Sequence, residues 1–308
     1  MNEIAIEACR LTKTFGSRVV AVNALDLAVP RGQVYGLIGR NGAGKTTLLR
    51  LLMGLLRPHG GTARLLGEDF WKAGRRHRAR VAYVSQVQQL HAWMTLEELC
   101  YYAGCFYETW DAPRARRLAD RFGLDWRRQV GLMSGGEQRK AAMLLAFAAR
   151  AELLLLDEPA AGLDPIARRE LIDEIVDVLS AGDGSTILLS THILADLERL
   201  AETIGFMDHG RIIRQEALAD LQAGMRRVQV IFDATGPPPG FAVPGAVRSR
   251  TEGAVVTAIV KLEGEDQLAP LRRIPGARVS EFPLGLEDTF IELFGADSAR
   301  ALREDDND

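Results

Sequence analysis

The sequence predicts an α/β fold: a mixed sheet core that carries a helical subdomain, followed by a small α+β domain. Three observations lead there. Short apolar runs recur at 34–38, 153–156 and 186–189, each followed at once by polar residues. Runs of that length suit parallel strands buried on both faces, and open α/β sheets gather their ligands at the carboxyl ends of such strands. A glycine-rich loop at 39–46 joins the first run to a helix-period segment, 45–56. After Gly224 the texture changes: GPPPG at 236–240 breaks regular structure, with strands predicted over 228–232 and 255–260 and a helix near 287–294. The predicted boundaries are 1–221 for the first domain, with its helical part over about 87–150, then 222–297. The tail, 298–308, is acidic and expected to be disordered.

A chain of 308 residues is long enough for one large α/β domain and a smaller one, and 47% hydrophobic with 26% charged residues is ordinary globular composition. A net charge of −3 offers no basic domain, so no nucleic-acid partner is expected. The most basic run, KAGRRHRAR at 72–80, reads as a solvated helix or loop, with a face toward acidic lipid headgroups as the lesser reading. Cys9, Cys100 and Cys105 form no CxxC pair, which predicts small hydrophobes in a reduced, intracellular protein. The opening MNEIAIEACRLTK is no signal peptide. Arg150 and Glu152 interrupt the most apolar window, 141–156, so no run reaches the ~20 apolar residues of a membrane span. A membrane role would have to use another chain.

GRNGAGKT, residues 39–46, matches G-x-x-x-x-G-K-[ST] in full, between the strand VYGLI and an apolar-periodic helix. Gly39, Arg40, Asn41, Gly42, Ala43 and Gly44 supply a loop whose backbone N–H groups converge on phosphates at a helix N-terminus. Lys45 adds a point charge for the β- and γ-phosphates, Thr46 offers its hydroxyl to Mg²⁺, and Thr47 continues the phosphate-binding turn. A nucleoside triphosphate is the expected ligand. LLLLDEP, 153–159, delivers Asp157 and Glu158 at a strand end, and adjacent carboxylates on a strand point to opposite sides. Their predicted tasks therefore differ: Asp157 holds Mg²⁺, directly or through water, and Glu158 acts as general base on the attacking water. His192 closes a third strand, TILLSTH. A lone histidine is usually structural, but at this strand end a neutral imidazole could hydrogen-bond the γ-phosphate.

LMSGGEQRKAAMLL, 132–145, has two readings. Ser134 and Glu137 have the S-x-x-E spacing of a capping box, which alone makes it the start of a helix. Gly135 and Gly136, however, stand in the first turn, where glycine costs roughly 1 kcal/mol each relative to alanine. The Ser134 hydroxyl with the backbone N–H groups of Gly135 and Gly136 makes a second anion-binding surface. Two such surfaces with one P-loop are satisfied most simply by a two-fold dimer, each P-loop facing the other subunit's SGGE.

Together these motifs closely resemble the ATPase subunit of ABC transporters, a P-loop NTPase family, over residue 4 to about 221. Walker A resembles 39–46, Walker B 153–158, and the signature LSGGQ appears as MSGGE, 133–137. The resemblance assigns the Q-loop to Gln86, as a metal ligand and γ-phosphate sensor. It also assigns the D-loop to Gly162, Leu163 and Asp164, the switch histidine to His192, and the ring under adenine to Phe15. It implies ATP and Mg²⁺ as ligands, with Thr46, Gln86 and Asp157 around the metal, and ATP contacts from Ser134 to Glu137 and Asp164 across a homodimer. Arg40 stands where many members have proline, Met133 replaces leucine, and Glu137 replaces glutamine, which implies retained but tuned activity. MTLEEL, FYETWD and LEDTFIELFG are similar to small bacterial ABC-2 exporters. That implies a separate integral membrane permease, docking between Gln86 and about Trp110 at the cytoplasmic face of the cell membrane. Dimer stabilisation and a purely structural role stand side by side for the second domain.

Three other readings compete. A soluble ABC-type ATPase remodelling a ribosome or DNA complex normally fuses two cassettes or inserts a coiled coil, and neither is here. A P-loop kinase or GTPase would leave SGGE unexplained, and the guanine-reading NKxD is missing. A nucleotide-gated module without turnover would not need Glu158.

Overall fold

The computed structural model describes residues 3–16, 19–180, 184–223, 225–233, 236–238, 240–261 and 267–287. By its contacts the chain divides into two units, Met1–Gln215 and Glu216–Asp308.

The first unit opens on an antiparallel hairpin that the periodicity hides. Strands β1 (Ile4–Phe15) and β2 (Val19–Pro30) pair through Ile6↔Val29, Leu11↔Leu25 and Phe15↔Val19, with register shifts between. Arg10 and Ala24 take positive φ (48° and 45°) at these irregularities. Each bulge moves the inward face by a residue, so a strict alternation is never spelled out. Strand β3 (Val34–Ile38) is buried along its whole length, as an apolar run at the centre of a covered sheet must be. Helix α1 (Lys45–Leu52) follows it and stops at Leu52, short of the expected residue 56, with Gly54 turning the chain at φ 64°. Strands β4 (Gly60–Leu65) and β5 (Glu68–Asp69) complete a first sheet of order β2-β1-β4-β5.

Helix α2 (Arg75–Arg78) leads into β6 (Val81–Val84) and then a helical stretch, α3 (Leu96–Gly104), α4 (Ala112–Arg121) and α5 (Gly135–Ala148). Local chemistry sets each start. Thr95 and Glu98 form a capping box on α3, and Asp111 accepts from the Arg114 N–H at 2.8 Å on α4. The chain returns through β7 (Leu153–Asp157), α6 (Pro165–Ser180), β8 (Thr186–Thr191), α7 (Leu194–Leu200), β9 (Thr203–Asp208) and β10 (Arg211–Ala217). Among the described residues the central sheet runs β10-β9-β3-β8-β7-β6. Strands β3, β8 and β7 are parallel neighbours, with Ile38 opposite Thr191 and Asp157 opposite Ser190. That order brings three chain-distant carboxyl ends side by side.

In the second unit, α8 (Leu218–Ala223) precedes β11 (Met225–Phe232), β12 (Ala246–Glu252), β13 (Val255–Lys261), α9 (Ala269–Arg272) and β14 (Ala277–Pro283). The antiparallel sheet β12-β13-β11-β14 packs Val228, Val230, Val256 and Val260 with Leu268 and Leu271. The α/β core and the α+β appendix of the sequence are both present; the helix expected at 287–294 and the tail at 298–308 fall outside the described residues.

Two expectations need correction. Only Cys100 is buried, whereas Cys9 and Cys105 are exposed and so are not core hydrophobes. The basic run 72–80 is not simply solvated. His77 is 5% exposed, its ring bonded to the Leu65 carbonyl at 2.7 Å, and Arg78 lies over the Phe70 ring at 5.0 Å. Arg80 makes two hydrogen bonds to Glu152. No described helix is long and apolar enough to cross a membrane.

Candidate nucleotide site

The loop after β3 is shaped by what surrounds it. Gly44 caps α1 at φ 108°, a left-handed conformation, and a Cβ there would strike the carbonyl oxygen of Ala21. The loop lines an open cleft of about 200 Å³ together with Val19, Ala21, Gln86 and Glu158. Arg40, Asn41, Gly42, Gly44, Lys45, Thr46 and Thr47 all reach this cleft. Gly39 and Ala43 are buried behind it. Lys45 is 6% exposed, and its ammonium donates to the carbonyls of Gly39 and, at 3.3 Å, Arg40.

Strand β7 ends at Asp157, and the chain turns immediately: Glu158 has φ 48°. The two carboxylates are thus separated by a turned backbone rather than by strand pleating alone. Asp157 Oδ1 accepts from the Ser190 hydroxyl at 2.7 Å, while Oδ2 is buried with no hydrogen-bond partner. A buried carboxylate oxygen without a donor is costly unless a cation meets it. Asp157 is not among the residues lining the cleft, whereas Thr46 is, and carboxylate and hydroxyl oxygens are donors of the kind Mg²⁺ takes. Glu158 Oε1 lies 3.4 Å from the Lys45 ammonium, and Oε2 accepts from His192 Nδ1 at 2.8 Å. Burial pushes the Glu158 carboxyl up, but the His192 hydrogen bond and the Lys45 charge outweigh it and leave the group below its ordinary value. With its proton on Nδ1, a neutral His192 presents a lone pair at Nε2; donating to a phosphate takes a second proton or release of Glu158.

The signature residues are elsewhere. Ser134 caps α5, accepting from the Glu137 N–H at 3.2 Å, and Glu137 Oε2 accepts from the Ser134 N–H at 2.7 Å. Those backbone and hydroxyl donors, with Arg128 at 3.0 Å from Oε1, hold the Glu137 carboxyl below its ordinary value. Arg128 thereby partners the charge that glutamate brings in place of glutamine, a compensation sequence reading missed. None of 134–137 lines the P-loop cleft. Gly135 and Gly136 have no left-handed φ, nothing lies within 4 Å of a Cβ built at Gly135, and only Leu163 at 3.8 Å meets one at Gly136. This chain makes no demand for glycine at either position.

Asp164 is exposed and outside the cleft; its carboxylate caps α6, accepting from the Ile166 and Ala167 N–H groups at 2.9 and 3.0 Å. Phe15 is exposed at the end of β1 and outside the cleft lining, with Lys13 over its ring at 5.5 Å, although its strand partner Val19 is in that lining. Ser190 and Arg139 were not foreseen. Arg139 donates to the backbone carbonyls of Glu158 at 3.1 Å and of Gln86 at 2.9 Å. Only strand pairing reveals Ser190, and no local pattern marks Arg139.

Comparison with known proteins identifies the family. Residues 22–161 match the family model described as ABC transporter. The chain is 36% identical over 298 residues to the Nod factor export ATP-binding protein I of Cupriavidus pinatubonensis, covering 94% of this chain and 90% of that protein. It is 38% identical over 227 residues to the daunorubicin/doxorubicin resistance ATP-binding protein DrrA of Streptomyces peucetius, covering 72% and 68%. A solved ATP-binding subunit of an ABC transporter superposes with a TM-score of 0.65 at 29% identity, over 71% of this chain and 92% of that one. A P-loop, a carboxylate pair and a signature helix on this fold, in a chain alike along nearly its whole length, lead to one conclusion: the chain belongs to the ABC transporter family and is an ATP-hydrolysing, ATP-binding subunit of a transporter.

Proposed function

We propose that this subunit drives export and works as a homodimer with two shared ATP sites. The observation that carries the reading is the glycine pair 135–136: neither has a left-handed φ or a neighbour that an added Cβ would strike, and neither lines the P-loop cleft of its own chain. Glycine there fits close approach by a ligand bound to a partner. In the dimer, residues 39–47 and Phe15 of one chain hold the nucleotide, and Ser134, Gly135 and Gly136 of the other cap its γ-phosphate, with Glu137 fixing the cap and Asp164 at the same interface. Thr46, Asp157 and Gln86 would hold Mg²⁺, which supplies charge neutralisation at the phosphates. Glu158 takes a proton from the attacking water, and His192 orients the carboxylate. Loss of the γ-phosphate removes the ligand that favours the closed dimer, and the subunits part.

The partner is a membrane permease on a separate chain, with this subunit at the cytoplasmic face. Trp93, Tyr101, Tyr102 and Phe106 are exposed within the stretch expected to dock, and His91 stacks edge-on to Tyr102 at 5.2 Å. Beside them Tyr101, Trp110 and Trp126 line an apolar groove of about 430 Å³. An aromatic surface of this kind marks an interaction site. Export is supported by the relatives named above, whose different cargoes leave cargo to the permease.

Glu158→Gln tests the core of the reading. Purified with ATP, the variant is expected to elute as a stable dimer and to lose turnover by about 10²–10⁴-fold. A variant that stays monomeric with ATP bound would sink the shared-site proposal.

A further inference from the structure

One side chain ties the signature helix to the hydrolytic residues of its own chain. Arg139 is half-buried on α5, five residues after Ser134. Its Nη1 donates to the carbonyls of Glu158, at 3.1 Å, and Ala161, and its Nη2 to that of Gln86 at 2.9 Å. The acceptors are backbone oxygens on two loops, so a planar fork fixes both loops against one helix. Elsewhere the helical stretch meets α6 through Arg114 and Arg121, each 2.7 Å from Glu174. Those pairs touch neither loop.

We infer that Arg139 is a positioning residue that couples the two nucleotide sites of the dimer. The inference rests on the shared-site reading above. In that dimer, 134–136 of a chain close on the partner's nucleotide, whereas Gln86 and Glu158 of the same chain serve its own. Arg139 joins the two sets directly. When α5 shifts to meet the partner's phosphate, the carbonyls of Gln86 and Glu158 move with it, and the base comes into register in the second site. Coupling of this kind is reciprocal between sites, so binding at either promotes the other.

The test uses the full-length chain and steady-state ATPase rates across ATP concentration. Wild type is expected to give a Hill coefficient clearly above one and at most two, the number of sites. Arg139→Ala should bring it to one and lower kcat about tenfold, with KM changed less than about twofold, because orientation is lost while the phosphate loop is untouched. Arg139→Lys keeps the charge without the fork and should fall between. A merely structural role would reduce the active fraction and scale the rate, leaving the Hill coefficient unmoved. The double variant Arg139→Ala/Glu158→Gln should still trap the ATP dimer.

A wild-type coefficient of one, or an Arg139→Ala variant that keeps the wild-type coefficient, overturns the coupling. So does a double variant that stays monomeric while Glu158→Gln dimerises, since Arg139 would then build the interface itself. If Arg139→Ala does not fold, Arg139→Lys decides on the same readouts. Failure of Glu158→Gln to dimerise with Arg139 intact is a failure of the shared-site reading, and is recognised as such.

Discussion

Glu158 is held by opposing forces. Its carboxylate is 4% exposed, and removing a charge from water costs several kcal/mol unless partners replace the lost hydration. Lys45 and His192 supply that replacement, and together they leave the group ionised below the ordinary carboxyl range. The sign for stability follows. A depressed folded value means a stabilising contribution fully present above the unfolded carboxyl value, and lost as pH falls through the folded one. His192→Ala removes the hydrogen bond and leaves burial, the largest influence, less opposed. The carboxyl should then titrate higher, moving the acid limb of the pH–rate profile upward, with residual kcat down on the order of tenfold or more. An acid limb that stays in place would show that Lys45 alone keeps the base ionised. The carboxylate proposed as the base was legible from DEP at a strand end, and Lys45 and His192 were each legible as site residues, but their contacts with Glu158 were not. Ser190 and His192 reach Asp157 and Glu158 only because β8 lies beside β7.

At the scale of elements, α5 separates stability from function. Its start is well capped, yet its first two residues are glycines. Gly135→Ala has room for the added methyl and no left-handed φ to strain, so the helix should gain up to about 1 kcal/mol. The shared-site proposal predicts that ATPase activity nonetheless falls at least about tenfold, as when a phosphate-contacting backbone is obstructed. Thermal melting and turnover measured on the same sample decide it; unchanged turnover in a more stable variant would return α5 to the status of a capped helix. Elements were legible in the sequence where their environment is uniform. Strands β3, β7 and β8 are buried throughout, and the apolar runs within them mark them in the sequence. The β1–β2 hairpin changes register repeatedly, so its inward face shifts along the strand and no single period describes it.

At the scale of the molecule, the proposed assembly divides the labour between two surfaces: one that would meet nucleotide and one that would meet the permease. Tyr101, 79% exposed on α3, lies on the surface proposed for the second. Tyr101→Asp is expected to leave nucleotide affinity within about twofold while abolishing co-purification with the membrane chain, because a charge is poorly accommodated in an apolar contact. Intact co-purification would move the docking surface elsewhere. The strand order carries a further consequence, for synthesis. The phosphate loop closes at Thr46, but the strand that seats Asp157 and orients Glu158 ends only at Thr191. At 5–20 residues per second a ribosome takes roughly 7–30 s to cover that interval. Throughout it a nascent chain has its phosphate loop but lacks the strand that seats Asp157 and Glu158, so in the proposed mechanism an unfinished subunit has no completed hydrolytic site.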